Sequence, residues 1–369
     1  MTRVLHVFGR LNRGGAESRT MDIYRNIDRT RVQFDFVVHT YDTCDYEEEA
    51  KALGANIFRL PRFTGSNFFT YRKAWRTFLE QCGSYNAVHI HVTNFAFAFT
   101  PLLKNIPIRI AHARSAWDFS GAKRVLVRIM RSGILKHCTH YLAVSKKAAD
   151  FVFGKYISNV IVVPNAIDAR AFAYDPELRR RMRGELELGD SYVVGHVGRM
   201  SVEKNHAFLF ETAKALQRKH PETVLLLVGD GPLRGALERQ AVEMGLRVKF
   251  LGLREDVPAL MQAMDVFVLP SFFEGMPGVA IEAQAAGLPC IISDRVTNEC
   301  ELIPPLVTFL PIESSGANLD KWAGAIAKAS ELKRENTYEV IKSAGFDAKT
   351  QALWYSDFYS NTCVRTHEK

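Results

Sequence analysis

The stretch Glu274-Gly275-Met276-Pro277-Gly278-Val279-Ala280-Ile281-Glu282 decides how the chain is read. Ahead of it, Val266-Phe267-Val268-Leu269 has the length and β-branched content of a buried strand. Behind it, the run from Val279 to Ala286 closes at Gly287 and Pro289, the stop signals of a short helix. The reading is strand, Gly/Pro turn, helix. A helix N-terminus presents unpaired N–H groups and about half a positive charge, and a glycine there lets an anion approach the backbone. Gly278, Val279 and Ala280 therefore form a candidate phosphate seat. Glu282, one turn inside the helix, and Glu274, on the loop before it, can accept hydrogen bonds from hydroxyl groups flanking the phosphates, a ribose on one side and a sugar on the other. On spacing alone, a plain connection with two solvated glutamates accounts for the stretch equally well.

With 369 residues and 47% apolar content, the chain can bury more than one core, and two domains are expected. The six cysteines form no CxxC pair and no zinc spacing, which suits reduced thiols in a cytoplasmic protein. Residues 1–180 carry 27 Lys and Arg against 15 Asp and Glu, a net +12; residues 181–369 carry 21 against 25, a net −4. Such asymmetry suits a phosphorylated substrate or an anionic membrane surface on the inner face of the plasma membrane. Nucleic acid is disfavoured because there is no zinc finger or RNP-type motif. The best apolar run, Phe95–Leu103, is broken by Thr100 and Pro101, so no bilayer-spanning segment is expected.

Outward from the opening stretch, strands are predicted at Thr2–Gly9, Val32–His39, Ile57–Leu60, Val88–His91, Ile108–His112 and Tyr141–Ser145, with helices between them, and Val160–Asp168 closes this half as a turn or linker. That alternation implies βα units on a parallel sheet, whose ligands bind beyond the carboxyl ends of the strands. Gly14-Gly15-Ala16-Glu17 is a second glycine turn opening a helix. His91 and His112 fall at strand ends, with Arg114 and Ser115 following, although a lone histidine there is more often structural. Lys123–His137 reads as a helix with a basic face, fit for an anionic surface or simply for solvent. A second strand set begins at Tyr192–Val197 and continues through Thr223–Val228, Val248–Leu251, Val266–Leu269 and Cys290–Ser293. Arg199 and Lys204 follow its first strand, where two bases beside a helix N-terminus would neutralise a diphosphate.

Gly14-Gly15-Ala16-Glu17, Pro164-Asn165-Ala166-Ile167-Asp168, Gly198-Arg199 with Glu203-Lys204-Asn205, Gly229-Asp230-Gly231-Pro232 and Glu274 with Glu282 occur in that order. Together they resemble the retaining glycosyltransferases of family 4, most closely those of bacterial exopolysaccharide and capsule assembly, from Arg3 to about Asp294. The resemblance implies an α/β GT-B fold: two Rossmann-like domains facing a central cleft. Residues 1–170 would form the acceptor domain, 171–190 a linker, 191–335 the nucleotide-sugar domain, and 336–369 helices crossing back to the first domain. Arg199 and Lys204 would then contact the diphosphate, Glu282 the ribose, Glu274 and His112 the donor sugar, Arg254 the base pocket, and Gly15 the diphosphate from the opposite domain. Glu17, His91 and Arg114 would lie on the acceptor side. Arg114 and Gly278 depart from the residues common in that family, and Arg114 is read as holding an anionic sugar or an acceptor pyrophosphate.

The same resemblance implies a hexosyl transfer from a nucleotide diphosphate sugar, a UDP-sugar before a GDP-sugar, to a lipid-linked or saccharide acceptor. Neither metal nor cofactor is expected, and there is no Asp-x-Asp at a strand end. A sugar-nucleotide epimerase of the same fold, or a nucleotide-sugar-binding protein without turnover, are the alternatives. A dehydrogenase is disfavoured because no G-x-G-x-x-G follows either first strand.

Overall fold

The computed structural model describes residues 1–114, 131–154, 157, 159–274, 276–313 and 315–367, with side chains to residue 360. Ser115, Gly275 and the first part of the basic stretch, 123–130, lie outside the described residues. The chain divides into two units: Met1–Ala166 with Ala348–Lys369, and Ile167–Asp347.

Unit one is built on a seven-stranded parallel sheet: β1 Thr2–Phe8, β2 Val32–Val38, β3 Ile57–Arg59, β4 Ala87–Ile90, β5 Ile108–Ala113, β6 His140–Ala143 and β7 Val160–Val162. Its order is β3-β2-β1-β4-β5-β6-β7, so the direction of winding reverses between β1 and β4. Strand side chains alternate between faces. Val4, Phe8, Ala87, Ile108 and Ile110 accordingly pack against Met21 and Tyr24 of the helix Gly15–Asn26 and against Tyr355 and Tyr359 of the last helix, Ala348–His367. On the other face Leu5, Val7, Val88, Ile90 and Ala111 meet Tyr71, Trp75 and Phe78 of the helix Phe68–Gln81. Each such large apolar side chain contributes about 1.5–3 kcal/mol on burial.

Unit two repeats the scheme with β8 Val193–Val197, β9 Val224–Val228, β10 Val248–Phe250, β11 Val266–Leu269, β12 Cys290–Ser293 and β13 Val307–Leu310. The order is β10-β9-β8-β11-β12-β13, with its reversal between β8 and β11. The strand β13 and the helix after it, Gly316–Ala329, were not anticipated. β13 has only four residues, squeezed between Pro304-Pro305 and Pro311, and only its first residue is buried, so it shows neither alternation nor a long apolar run.

The unit boundaries also differ from those expected. Residues 171–190 are a packed part of unit two, with Phe172, Met182 and Leu188 buried in its core. Asp175 caps the helix Pro176–Glu185 by accepting from the Glu177 and Leu178 N–H groups, and Arg179 and Arg183 of that helix pair with Asp265. Charge there reflects ion pairs on a packed helix. The helix Tyr338–Ser343 belongs to unit two as well, since Ile341 and Phe346 join the same core. The Ile167 N–H donates to the Phe346 carbonyl at 2.8 Å, and the chain returns to unit one from Ala348. Among the described residues no helix is long and apolar enough to cross a membrane, and Cys44, Cys82, Cys138, Cys290 and Cys300 are free thiols.

Among the described residues seven histidines are buried: His6, His39, His89, His91, His112, His196 and His206. Burial pushes each below its ordinary value of 6.5, to about 3 for His6 and His196 and about 4 for His39 and His206. Below pH 6.5 the unfolded chain binds protons there that the folded chain does not. Stability is thus full above that pH and falls as pH drops through it, by about 1.4 kcal/mol per pH unit for each histidine. The guanidinium unfolding midpoint is expected to be flat from pH 8 to 7 and to fall between pH 6.5 and 5.

Candidate functional site

The site in unit two forms at the carboxyl ends of β8 and β11, where the winding reverses and parallel sheets of this type open a crevice. His196 fastens the two strands by donating from Nδ1 to the Val268 carbonyl at 2.9 Å. Beyond β8 the chain runs through Gly198 and Arg199 into a single 3-10 turn, Val202–Lys204. Asn205, at φ +54°, then starts the helix His206–Lys219 in the left-handed region that Asn tolerates. Lys204 Nζ donates to Glu274 Oε1 at 2.5 Å, and Ser271 Oγ donates to the same oxygen at 3.0 Å. The Phe272 N–H to Glu203 carbonyl bond, 2.9 Å, ties the same loops a second time. Arg199 is exposed and has no ion-pair partner among the described residues.

Glu274 makes an isolated bridge to Val296, and the helix Gly278–Ala285 begins four residues later. No side chain caps that helix and no carboxylate stands in its first turn. The Ala280 N–H turns back to the Pro277 carbonyl at 3.0 Å, so Gly278 and Val279 carry the outward N–H groups of the candidate phosphate seat. Glu282 lies one turn in and is buried. The arrangement offers two cations, a helix N-terminus and two carboxylates around one crevice, the groups needed to hold a diphosphate flanked by hydroxyls.

In unit one, strand periodicity places His6 of β1, His89 of β4, the following His91, and His112 of β5 on one face of the sheet, with His6 paired in register with His89. His6 Nδ1 and His91 Nε2 are 3.0 Å apart, as are His89 Nε2 and His112 Nδ1. Arg114 Nε donates to His91 Nδ1 at 3.2 Å, while its other nitrogens donate to Asn165 Oδ1 at 2.6 Å and Thr20 Oγ1 at 3.3 Å. Tyr359 of the last helix meets His89 Nδ1 at 2.6 Å. Desolvation lowers all four imidazoles, with the Arg114 charge adding to the effect. His6, His89 and His91 bring three ring nitrogens within 4.8 Å of one another. A guanidinium against one of them, and no carboxylate in the trio, fit a neutral hydrogen-bonded network rather than a divalent cation.

Residues 191–330 match the family of group 1 glycosyl transferases, and residues 13–171 match Glycosyltransferase Family 4. Over its whole length the chain is 36% identical to EpsF of Bacillus subtilis (strain 168), a protein named as a glycosyltransferase, covering 98% of it. The chain belongs to the GT-B glycosyltransferases. A UDP-Gal:alpha-D-GlcNAc-diphosphoundecaprenol alpha-1,3-galactosyltransferase of Escherichia coli is 31% identical over 68% of this chain and 67% of its own. The fold is also that of Anabaena HepE, solved with UDP and glucose, at a TM-score of 0.78 and 20% identity over 98% of this chain and 100% of that one.

In this glycosyltransferase Lys204 and Glu274 meet directly, with Arg199 on the same turn and Glu282 on the adjoining helix. Arg254 is held by Asp256 through two bonds of 2.7 and 2.6 Å, so its guanidinium is paired at the head of the helix Val257–Ala263. Gly15 opens its helix with empty space where a Cβ would stand. Glu17, two residues on, is held above the usual carboxylate range by burial, while its own helix N–H groups and Arg114 act the other way. His91 uses both ring nitrogens internally and so supports Arg114 and His6 rather than facing a ligand. Arg114 likewise has three internal partners. Sequence reasoning missed Ser271, His6, His89 and Tyr359; the alternation His89-Ile90-His91 was the one signal that two histidines share a face.

The loop carrying Arg199 rests on the turn Gly229-Asp230-Gly231-Pro232. Gly229 sits at φ +130°, and a Cβ on it would lie 2.1 Å from the Gly198 carbonyl oxygen. Gly229→Ala is expected to lower stability by more than about 1 kcal/mol in chemical denaturation, because both the dihedral and the backbone contact are lost.

Proposed function

We propose that this chain transfers a hexose from a nucleoside diphosphate sugar, by preference a UDP-sugar, to a lipid-linked or saccharide acceptor in cell-surface polysaccharide assembly. Transfer retains the anomeric configuration and uses no metal. The observation that carries the reading is the exposed Arg199 beside Lys204 at the crevice of unit two, with no ion-pair partner among the described residues. Such a cation is what a leaving diphosphate requires, and with the uncapped helix at Gly278 it compensates charge that grows in the transition state. The UDP-linked names of the Escherichia coli and Anabaena proteins support the choice of base, and the former supports a lipid-linked acceptor.

In this scheme Arg199 and Lys204 hold the diphosphate, Glu282 the ribose hydroxyls, and Glu274 and His112 the sugar. Glu274 Oε1 already accepts from Lys204 and Ser271, which withdraws electron density and suits a sugar ligand better than a nucleophile. The departing phosphate oxygen then takes the acceptor proton. The net +12 of residues 1–180 supports docking to an anionic membrane surface.

Incubation with a UDP-hexose panel and polyprenyl diphosphate sugar acceptors is expected to release UDP, with NMR showing a product of the donor's anomeric configuration. EDTA should leave the rate unchanged. Lys204→Ala and Glu282→Ala should each lower kcat/KM by about a hundredfold or more. A donor at a hundredfold its Kd should stabilise the protein by about 2.7 kcal/mol in thermal unfolding. No UDP release with any donor and acceptor, despite such binding, would favour a binding protein instead. Co-sedimentation with anionic vesicles that vanishes at high salt checks the membrane reading.

A further inference from the structure

The histidine network of unit one has a determined proton order. Tyr359 has one hydrogen-bond partner among the described residues, His89 Nδ1 at 2.6 Å. A buried O–H left without an acceptor is costly, so Tyr359 donates and His89 Nδ1 accepts. Neutral His89 then carries its proton on Nε2 and donates to His112 Nδ1 at 3.0 Å. His112 is left with its proton on Nε2, which is buried and has no hydrogen-bond partner among the described residues. A second chain runs the same way. Arg114 can only donate, so His91 accepts at Nδ1, donates from Nε2 to His6 Nδ1, and leaves a partnerless Nε2–H on His6. Arg114 also opposes a charged imidazole anywhere in the cluster, which keeps both chains neutral.

We infer that Tyr359 and His89 are positioning residues that lock His112 in the Nε2–H tautomer. His112 thereby donates a hydrogen bond to a substrate oxygen and cannot act as a general base through Nε2. The inference rests on the reading above in one respect, that His112 serves the donor sugar. Tyr359 is supplied by the helix Ala348–His367, which joins unit one only after the chain has passed through unit two. The tautomer of His112 therefore depends on the far end of the chain.

The test is long-range 1H–15N correlation NMR on full-length protein carrying 15N-labelled histidine, with His112→Asn to assign the signal, combined with kinetics of three variants. His112 is expected as Nε2–H in the wild type. His89→Leu, which offers His112 no donor, should lose the single tautomer and lower kcat by about tenfold or more with donor KM within about threefold. In His89→Gln the amide N–H can replace the imidazole donor, restoring the tautomer and most of the rate. Tyr359→Phe keeps the ring packing and should loosen the tautomer as well, so it serves if His89→Leu does not fold. An Nδ1–H signal for His112 in the wild type, or Leu and Gln variants with the same tautomer and rate, overturns the lock. If the tautomer is as expected but His112→Ala turns over like the wild type, the lock stands and the role of His112 in transfer fails.

Discussion

The contact between Lys204 Nζ and Glu274 Oε1 is the interaction on which the geometry of the unit-two crevice depends. It joins the loops after β8 and β11, the two strands between which the sheet reverses its order. Both side chains are mostly buried, at 16% and 18% exposure, so either one alone would leave a poorly solvated charge behind. Ser271 and the Phe272–Glu203 backbone bond fasten the same two loops, and Gly229 lets the neighbouring turn lie against Gly198. Lys204 and Glu274 satisfy each other, whereas Arg199 is exposed and has no ion-pair partner among the described residues. An exposed cation and a helix N-terminus without a side-chain cap are groups that suit an anion.

Unit one solves a different problem. Its central strands present four histidines on a face that is otherwise apolar, packed under Tyr24, Tyr355 and Tyr359. Neutral imidazoles are tolerable there because each ring has at least one nitrogen in a hydrogen bond, and rings stack, as His91 does on Phe8 at 4.1 Å. Buried polar networks specify one arrangement because each unmade bond is costly in a low-dielectric interior. Arg114 is stitched into that network through His91, Thr20 and Asn165, which gives it a structural task whatever it also does for substrate.

Much of the architecture was legible beforehand. Eleven of the thirteen strands were anticipated, all but β7 and β13, because buried parallel strands are short β-branched runs between glycine and proline turns, and that pattern is local. The turn from β11 into the helix at Gly278 was legible for the same reason. The expected linker at 171–190 was misjudged because its charged residues are paired with Asp265, some eighty positions away, and no local window contains both partners. Arg254 is placed at the base pocket by likeness alone, and the structure adds that Asp256 accepts from its Nε and one terminal nitrogen.

The order of motifs and the residue types at the turns thus determined, without coordinates, that this is a two-unit α/β glycosyltransferase and where its glycine turns fall. Only the tertiary structure decided that Lys204 is paired with Glu274 while Arg199 is not, and that His89, His112 and Tyr359 form one hydrogen-bonded chain. The reason is range. Strand and turn formation follow from neighbours within a few residues, but those contacts join positions 70, 23 and 270 apart, and they exist only once strand register and helix packing bring the side chains together.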